Sequence, residues 1–460
     1  MSDVGTQAHP LRVAVVGSGP AGFYTAEHLQ RHADVVCGID MFDRLPTPYG
    51  LVRGGVAPDH EKIKSVTKVY ERIAGRPGFR FFGGVELGRD ITEEDLARHY
   101  HAVVLSVGAP VDRRMGIPGE DLAGSLSATD FVAWYNTHPE HRDLVVDLSA
   151  THAVVVGNGN VAVDVTRILV TRVEDLARTD IADHALEQLR ASRVRVVTML
   201  GRRGPAQAAF TPKEIRELGE LTGVTLRVDP ADLELDPRSA AALDEDGERV
   251  MNALRSVAGR TPGPADRVIE LRFLTSPTEL RGAGGAVAEV AVVANELVEE
   301  DGALRARATG RVDALPAGLV LRAVGYRGAA VPGYPFDERA GVIPNAAGRV
   351  LEGPDGPPRP GRYVAGWIKR GPQGVIGTNK ADAGETVGAL LEDLAAGRLP
   401  QPAEPTAAAA EATVRDRAER VVTWGDWQTI DQHERSSGEA TGRPRRKFAS
   451  VAEMLETLER

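Results

Sequence analysis

The order strand, glycine turn, helix, strand occurs twice in this chain, and no other feature constrains the fold as tightly. Leu11–Val16 (LRVAVV) runs directly into GSGPAG at 17–22, and FYTAEHLQRH follows with apolar residues at helical spacing. VVCGIDMF at 35–42 is the next apolar run, and it stops at Asp43. That series, closed by an acid, is the pattern of a dinucleotide-binding βαβ unit. From His152 it returns as HAVVV, then GNGNVA at 157–162, the helix-like VAVDVTRILV and, later, the strand VRVVTML at 194–200. Two such units predict an α/β fold with two Rossmann-like dinucleotide-binding domains.

Each turn carries its own physical logic. The first glycine allows a tight turn, the second lets a pyrophosphate approach the backbone, and the third lets the helix pack close to its strand. The free N–H groups and the dipole at the helix N-terminus favour the phosphates. In the first turn these residues are Gly17, Gly19 and Gly22, and Asp43 follows at about the 20 residues expected of a ribose-binding acid. Asp40 competes for that role, but it reads as a mid-strand residue with a local partner, whereas Asp43 lies where the strand ends. In the second turn, Gly157-Asn158-Gly159-Asn160-Val161-Ala162, alanine replaces the third glycine, which the geometry accepts. Its strand ends in GRRGP at 201–205 rather than at an acid. A carboxylate there would bond a free 2'-hydroxyl and repel a 2'-phosphate; the forked donors of Arg202 and Arg203 do the reverse, so the pair predicts NADP(H) over NAD(H).

Tyr100–Ala109 (YHAVVLSVGA) and Leu319–Gly328 (LVLRAVGYRG) both read as strands ending in glycine turns, suited to carry the chain from one domain to the other and back. Arg362–Gly366 (RYVAG) is a further strand, followed by a glycine-rich turn and the helix-like KADAGETVGALLEDLAAG. The second unit is therefore expected as an insert in the first, with 1–110 and 331–460 forming one domain and 111–330 the other. Gln401–Ala412 (QPAEPTAAAAEA) reads as a linker or a marginal helix, and the residues after it as a C-terminal cap.

Composition excludes several functions. With a formal net charge of -10, the chain is not a general polyanion binder, and no nucleic-acid module is visible. A single cysteine, Cys37, expected in a buried strand, supports neither a disulfide, a CxxC redox pair nor a four-cysteine iron–sulfur site. A thioredoxin-reductase-like chemistry is thereby excluded, no metal site is assigned, and redox work falls to an organic cofactor or an external partner. No stretch reaches the roughly 18 uninterrupted apolar residues of a membrane span, and the first residues lack a signal core, so a cytoplasmic location is expected.

GSGPAGFYTAEHL, LPTPYGLVRGGVAPDHEKIK, GNGNVAVDVTRIL, GRRGPAQAAFTPKEIREL, RFLTSP, GWIKRGPQGVIGTNKADAGETV and WQTIDQHERSSGEATGRPRRK follow one another along almost the whole chain. Together they resemble the adrenodoxin-reductase-type ferredoxin-NADP reductases, including their bacterial members. The resemblance implies an FAD domain interrupted by an NADP domain, and a flavoprotein that takes hydride from NADPH and passes single electrons to a ferredoxin-type iron–sulfur protein. It implies that Gly17, Gly19, Ala21, Gly22, Asp43, Leu51 and backbone near Val85 hold FAD, with Trp367 and the Gly374-Val375-Ile376 turn around the isoalloxazine ring. It implies NADP(H) contacts from Arg113, Asn158, Gly159, Asn160, Val161, Arg202, Arg203 and Glu214, with Gly374 near the nicotinamide.

By the same carry-over, His60 and Glu217 are the ionisable groups nearest the chemistry. His60 is alternatively a structural histidine bonded to backbone. Glu214 and Glu217, three apart, share one helix face and are alternatively solvated acids; Trp367 is alternatively a core aromatic. The helix beginning near Ile376 would turn its positive end toward the flavin. Arg and Lys residues in GRPRRK, or others in the inserted domain, are candidates for a basic face toward an acidic ferredoxin, or are ordinary solvated charge. One departure concerns Asp43, where the family usually has glutamate, one methylene longer. The oligomeric state and the division of labour between Arg202 and Arg203 stay open.

Overall fold

A computed structural model describes residues 3–260 and 264–459. Its first sheet has seven strands in the order Asn345–Ala346, Arg349–Leu351, Pro358–Val364, Ala102–Leu105, Leu11–Val16, Cys37–Asp43 and Phe79–Gly83. The last five are parallel, and the first two form an antiparallel edge. A parallel sheet is covered on both faces, so its central strands are apolar throughout rather than alternating. Leu11, Val13 and Val15 pack into one cluster and Ala14 and Val16 into another on the opposite side. The polar residue in that strand, Arg12, is buried and paired with Asp40 of the next strand.

The second sheet is wholly parallel, in the order Ser125–Ser127, Leu319–Arg322, His152–Val156, Val196–Leu200, Arg267–Arg272 and Val224–Val228. Its strands lie in sequence between Leu105 and Asn345 of the first sheet, so the second unit is inserted into the first. Ala153 and Val155 face one core, Val154 and Val156 the other. The second core is closed by a three-stranded antiparallel sheet, Thr275–Ala283, Ala286–Glu300 and Ala303–Pro316, which contributes Leu280, Val287, Val290 and Val292. This meander is absent from the reading of the sequence. A short antiparallel ribbon pairs Val111–Asp112 with Tyr326–Arg327, where the chain leaves and returns to the first unit.

The candidate linker at 401–412 is helical in its second half: Ala407–Arg417 forms a helix whose first turn is capped by Thr406. Beyond it, the helix Trp424–Glu439 packs Trp427 and Ile430 into the first domain's core. Cys37 is half-buried at the start of its strand, and burial pushes its thiol up to about 12, which keeps it protonated and inert. Among the described residues, no helix is long and apolar enough to cross a membrane.

Candidate functional site

At the first turn, Gly17 has φ +105 and a Cβ there would stand 2.5 Å from Ser106 O. A Cβ at Gly22 would lie 2.1 Å from Gly17 O, so backbone and packing both require these two glycines. Gly19 is different. Its φ of -76 suits any residue, and a Cβ there would meet no protein atom within 4 Å. What the missing side chain preserves is open space above the N-terminus of the helix Pro20–Arg31. That helix start has no side-chain cap, so its free N–H groups are available to an anion.

The other residues expected around FAD gather at this turn. Tyr49 N bonds Ser18 O at 3.0 Å, which sets the loop before half-exposed Leu51 against it, and a Cβ at Gly50 would stand 3.0 Å from Gly19 Cα. Asp43 accepts from Ser18 N at 3.0 Å, Ser18 Oγ at 2.5 Å and Leu45 N at 3.0 Å, while Val85 N bonds Asp43 O at 2.9 Å. A Cβ at Gly366 would lie 2.6 Å from Ala21 Cβ, so the segment into Trp367 also abuts the turn. Trp367 donates from Nε1 to Gln373 O at 3.1 Å, and its ring centroid lies 5.7 Å from that of Tyr326. Gly374 needs its φ of +81, exposed Val375 and half-buried Ile376 follow, and the next helix spans Thr378–Ala395, two residues after the expected start. Asp40 is fully buried and taken up by Arg80 at 2.7 Å through two bonds, by Tyr100 Oη at 2.7 Å and by Arg12. It is structural, as its mid-strand place suggests.

The second turn repeats the first with one change. Gly157 has φ +134 and a Cβ there would lie 2.3 Å from Ala323 O; Gly159 has φ -95 and its nearest protein atom would be Ala209 Cβ at 4.0 Å. The third position carries Ala162, fully buried. The helix Asn160–Val170 also starts without a side-chain cap. Asn158 O accepts from Ala209 N at 3.1 Å and Asn160 Oδ1 from Thr211 N at 3.0 Å, which ties the turn to the segment after GRRGP; Val161 packs partly against the core.

Arg202 and Arg203 have their backbones pinned, with Asn295 Nδ2 donating to Arg202 O at 2.9 Å and Leu274 N to Arg203 O at 3.1 Å. Among the described residues neither guanidinium has a carboxylate partner. Burial and the neighbouring charge of Arg202 hold the Arg203 pKa below its ordinary value. Two adjacent cations with no counterion are a prepared anion site. Arg113 is exposed on the ribbon, its Nε bonded to Tyr326 O at 3.0 Å.

A third group of residues spans the two units. His60, just before the short helix Glu61–Lys64, faces the helix Pro212–Gly219, with its Nε2 3.4 Å from Glu217 Oε2. Its Nδ1 lies 3.8 Å from Asp164 Oδ1. Buried Arg167 grips Asp59 at 2.6 and 3.0 Å, bonds Asp164 at 2.7 Å and lies 3.5 Å from Glu214. Although burial opposes it, Arg167 holds the Asp59 carboxyl below its usual range, while burial and the charges of Asp164 and Glu217 push that of Glu214 up. Sequence reasoning found His60, Glu214 and Glu217 but missed Asp59, Asp164, Arg167 and Tyr326. A signal existed for two of them: Asp164 and Arg167 are three apart on one helix, charged residues in an otherwise apolar stretch.

The cations of GRPRRK are engaged in ion pairs within the chain: Arg443 and Lys447 are buried, Arg445 is half-buried and Arg446 is exposed. Arg443 bonds Thr179 O at 2.8 Å and Asp183 at 2.5 Å, Arg446 also pairs with Asp183, Arg445 with Asp431 at 2.5 Å, and Lys447 lies 3.4 Å from Asp180.

Residues 11–262 match the model of the family described as pyridine nucleotide-disulphide oxidoreductase. The chain is 48% identical to the NADPH-ferredoxin reductase FprA of Mycobacterium tuberculosis, over 97% of this chain and 98% of that protein. It is 44% identical to the human mitochondrial NADPH:adrenodoxin oxidoreductase, over 98% of this chain and 93% of that protein. The solved structure of M. tuberculosis FprA in complex with NADPH is similar with a TM-score of 0.92 and 47% identity, covering 98% of this chain and all of that one.

Proposed function

Because this chain belongs to the pyridine nucleotide-disulphide oxidoreductase family, among the NADPH-ferredoxin and adrenodoxin reductases, we propose that it is an FAD-dependent ferredoxin-NADP+ reductase. It takes hydride from NADPH and delivers electrons singly to a ferredoxin-type iron–sulfur protein. The observation that carries this reading is the pairing of two vacant glycine positions, Gly19 and Gly159, with the unpaired Arg202–Arg203 at the end of the second unit alone. One turn is thus suited to the pyrophosphate of FAD and the other to that of a nucleotide bearing a 2'-phosphate. We place the domain boundaries at the ribbon, near residues 110 and 330, and the protein in the cytoplasm.

FAD, when bound, accepts a hydride and releases electrons one at a time, which bridges a two-electron donor and a one-electron acceptor. The protein contributes binding, orientation and charge. Gly17, Gly19, Ala21 and Gly22 receive the FAD pyrophosphate on helix N–H groups, and Asp43, already oriented by Ser18 and Leu45, offers its carboxylate to the ribose. Leu51 and backbone near Val85 would help hold FAD, Trp367 and the 374–376 turn would wall the ring, and the uncapped helix Thr378–Ala395 would direct its positive end there. Asn158 to Val161 and Arg202–Arg203 hold NADP(H), joined by Arg113, Glu214 and Gly374. His60 and Glu217, facing each other from opposite units, orient the nicotinamide end and can hold a proton at Nε2.

The purified protein should be yellow. Under anaerobic conditions NADPH should bleach the visible flavin band, and added ferredoxin should then support cytochrome c reduction. Colourless protein, or bound flavin that NADPH leaves oxidised, rejects the enzyme and favours a non-catalytic nucleotide-binding module.

A further inference from the structure

We propose that His60, Glu214 and Glu217 form a binding site for a zinc-class divalent cation, and that the bound cation excludes the nicotinamide end of NADP(H). The second clause rests on the NADP(H) assignment made above; the first stands on the geometry alone. Each of the three side chains offers one ligand atom, and these atoms lie within 4.8 Å of one another. Zinc–nitrogen and zinc–oxygen bonds of about 2.0–2.2 Å put tetrahedral ligand atoms roughly 3.3–3.5 Å apart. His60 Nε2 and Glu217 Oε2 already stand at 3.4 Å, and Glu214 needs only a side-chain adjustment to complete the set.

The local fold holds these ligands in place. Glu214 and Glu217 are one turn apart on the helix Pro212–Gly219, whose start is capped by Thr211, so both carboxylates leave the same face. His60 approaches from the other unit, next to Asp59, which Arg167 anchors. The carboxylates have spare capacity: Glu214 Oε2 and Glu217 Oε2 are buried without a hydrogen-bond partner, and the Glu214 side chain is only 9% exposed. With Nε2 turned to the cation, His60 Nδ1 faces Asp164 Oδ1 at 3.8 Å, beyond hydrogen-bond length, and a small ring movement would bring the carboxylate into the outer shell that orients a ligating imidazole.

Charge points the same way. Asp59, Asp164, Glu214 and Glu217 face two cations, buried Arg167 and exposed Lys213, so with a neutral imidazole and all four carboxylates ionised, as metal binding requires of its ligands, two negative charges are unmatched. Arg167 keeps its bonds to Asp59 and Asp164 through Nε and Nη2 when Glu214 turns to the metal, and gives up only the 3.5 Å approach of Nη1, which makes no hydrogen bond, to Glu214. An imidazole with two carboxylates selects Zn2+ or its first-row neighbours over Mg2+ and Ca2+.

The test is calorimetric titration of Zn2+ into tag-free, flavin-loaded protein, with Mg2+ in parallel. One Zn2+ should bind per chain at micromolar concentration, at least tenfold more weakly in Glu217→Gln and in His60→Gln, while Mg2+ shows no heat at that concentration. Retained flavin absorbance and an unshifted melting midpoint establish that each variant is folded. In ferricyanide assays Zn2+ should raise KM for NADPH without lowering kcat, and EDTA should restore it. Equal Zn2+ affinity in wild type and in folded Glu217→Gln overturns the site. Site-dependent binding that leaves KM unchanged upholds the metal site and overturns the placement of the nicotinamide.

Discussion

The two glycine turns have the same backbone plan and use it differently. In the first, the helix comes so close that Gly17 O would stand 2.1 Å from any Cβ at Gly22, and the following strand ends in Asp43, already bonded to Ser18 and Leu45. In the second, the equivalent of Gly22 is Ala162, whose methyl is fully buried, and the strand ends in two arginines bonded to no carboxylate among the described residues. The glycine that borders open space is kept in both, and the third glycine, which faces the protein, is kept only where packing demands it. The fingerprint is therefore two signals, one for ligand and one for packing, and each can be broken separately.

The packing signal should give the largest effect. Gly22→Ala sets a methyl against a backbone carbonyl that cannot swing aside, an overpacking cost of about 3 kcal/mol. The melting midpoint should fall by roughly 6–12 °C, with loss of flavin on purification. A fully flavin-loaded Gly22→Ala protein with an unchanged midpoint would refute the distinction.

Charge at the strand end comes next. Replacing Arg202 and Arg203 together by alanine removes two charge-assisted phosphate contacts, and KM for NADPH should rise by about 100-fold. KM for NADH should change less than about twofold, because NADH presents a hydroxyl where NADPH presents the phosphate. The single variants then divide the labour between the two arginines. An equal rise for both nucleotides removes the 2'-phosphate assignment.

The ligand signal follows. A methyl at Gly19 or Gly159 meets almost no protein, so Gly19→Ala and Gly159→Ala should leave the stability of the ligand-free chain within about 0.5 kcal/mol. Gly159→Ala should weaken NADPH binding about tenfold with flavin intact, equivalent to about 1.4 kcal/mol. Gly19→Ala should lose flavin while the chain stays folded by circular dichroism. If either substitution unfolds the protein and spares its ligand, the vacant positions are structural.

These contrasts show what the sequence could disclose. Both turns were legible because each is built from consecutive residues whose order repeats a known geometry, and Asp40 betrayed its structural role by its place within an apolar strand. The cluster of Asp59, Asp164 and Arg167 was not legible, since Asp59 and Arg167 are 108 residues apart and only folding brings them within 2.6 Å. The meander at 275–316 escaped because its outer strand, Ala303–Pro316, is exposed along most of its length and lacks the apolar signal that marks the buried strands. GRPRRK differs from its sequence reading at two of its four cations. A run of cations reads as surface charge, yet Arg443 and Lys447 are buried because Asp183 and Asp180 of the inserted unit meet them.

The smallest effect concerns the ribbon that joins the two units. Asp112 pairs with Tyr326 across it, and its Oδ2 is buried without a hydrogen bond. Burial pushes its carboxyl up to about 7; Arg322, 3.8 Å away, opposes that shift, while Asp130 and Glu120 reinforce it. Glu120 takes up Arg322 at 3.3 Å, closer than Asp112 does, so Arg322 does not fully neutralise Asp112. A carboxyl whose folded pKa lies above its unfolded value binds more protons when folded, so its contribution is present in full below about 3.9 and is lost as pH rises through 7. Asp112→Asn cannot ionise and should escape that loss. Its melting midpoint should match that of the wild type near pH 3.9, pull ahead as pH rises and exceed it at pH 8 by about 1–2 °C once solvent screening of this partly exposed group is allowed for. A variant less stable than wild type at pH 8 would mean that Arg322 holds Asp112 ionised, and that the ribbon is fastened by an ion pair, like the cations of GRPRRK, instead of carrying a buried acid.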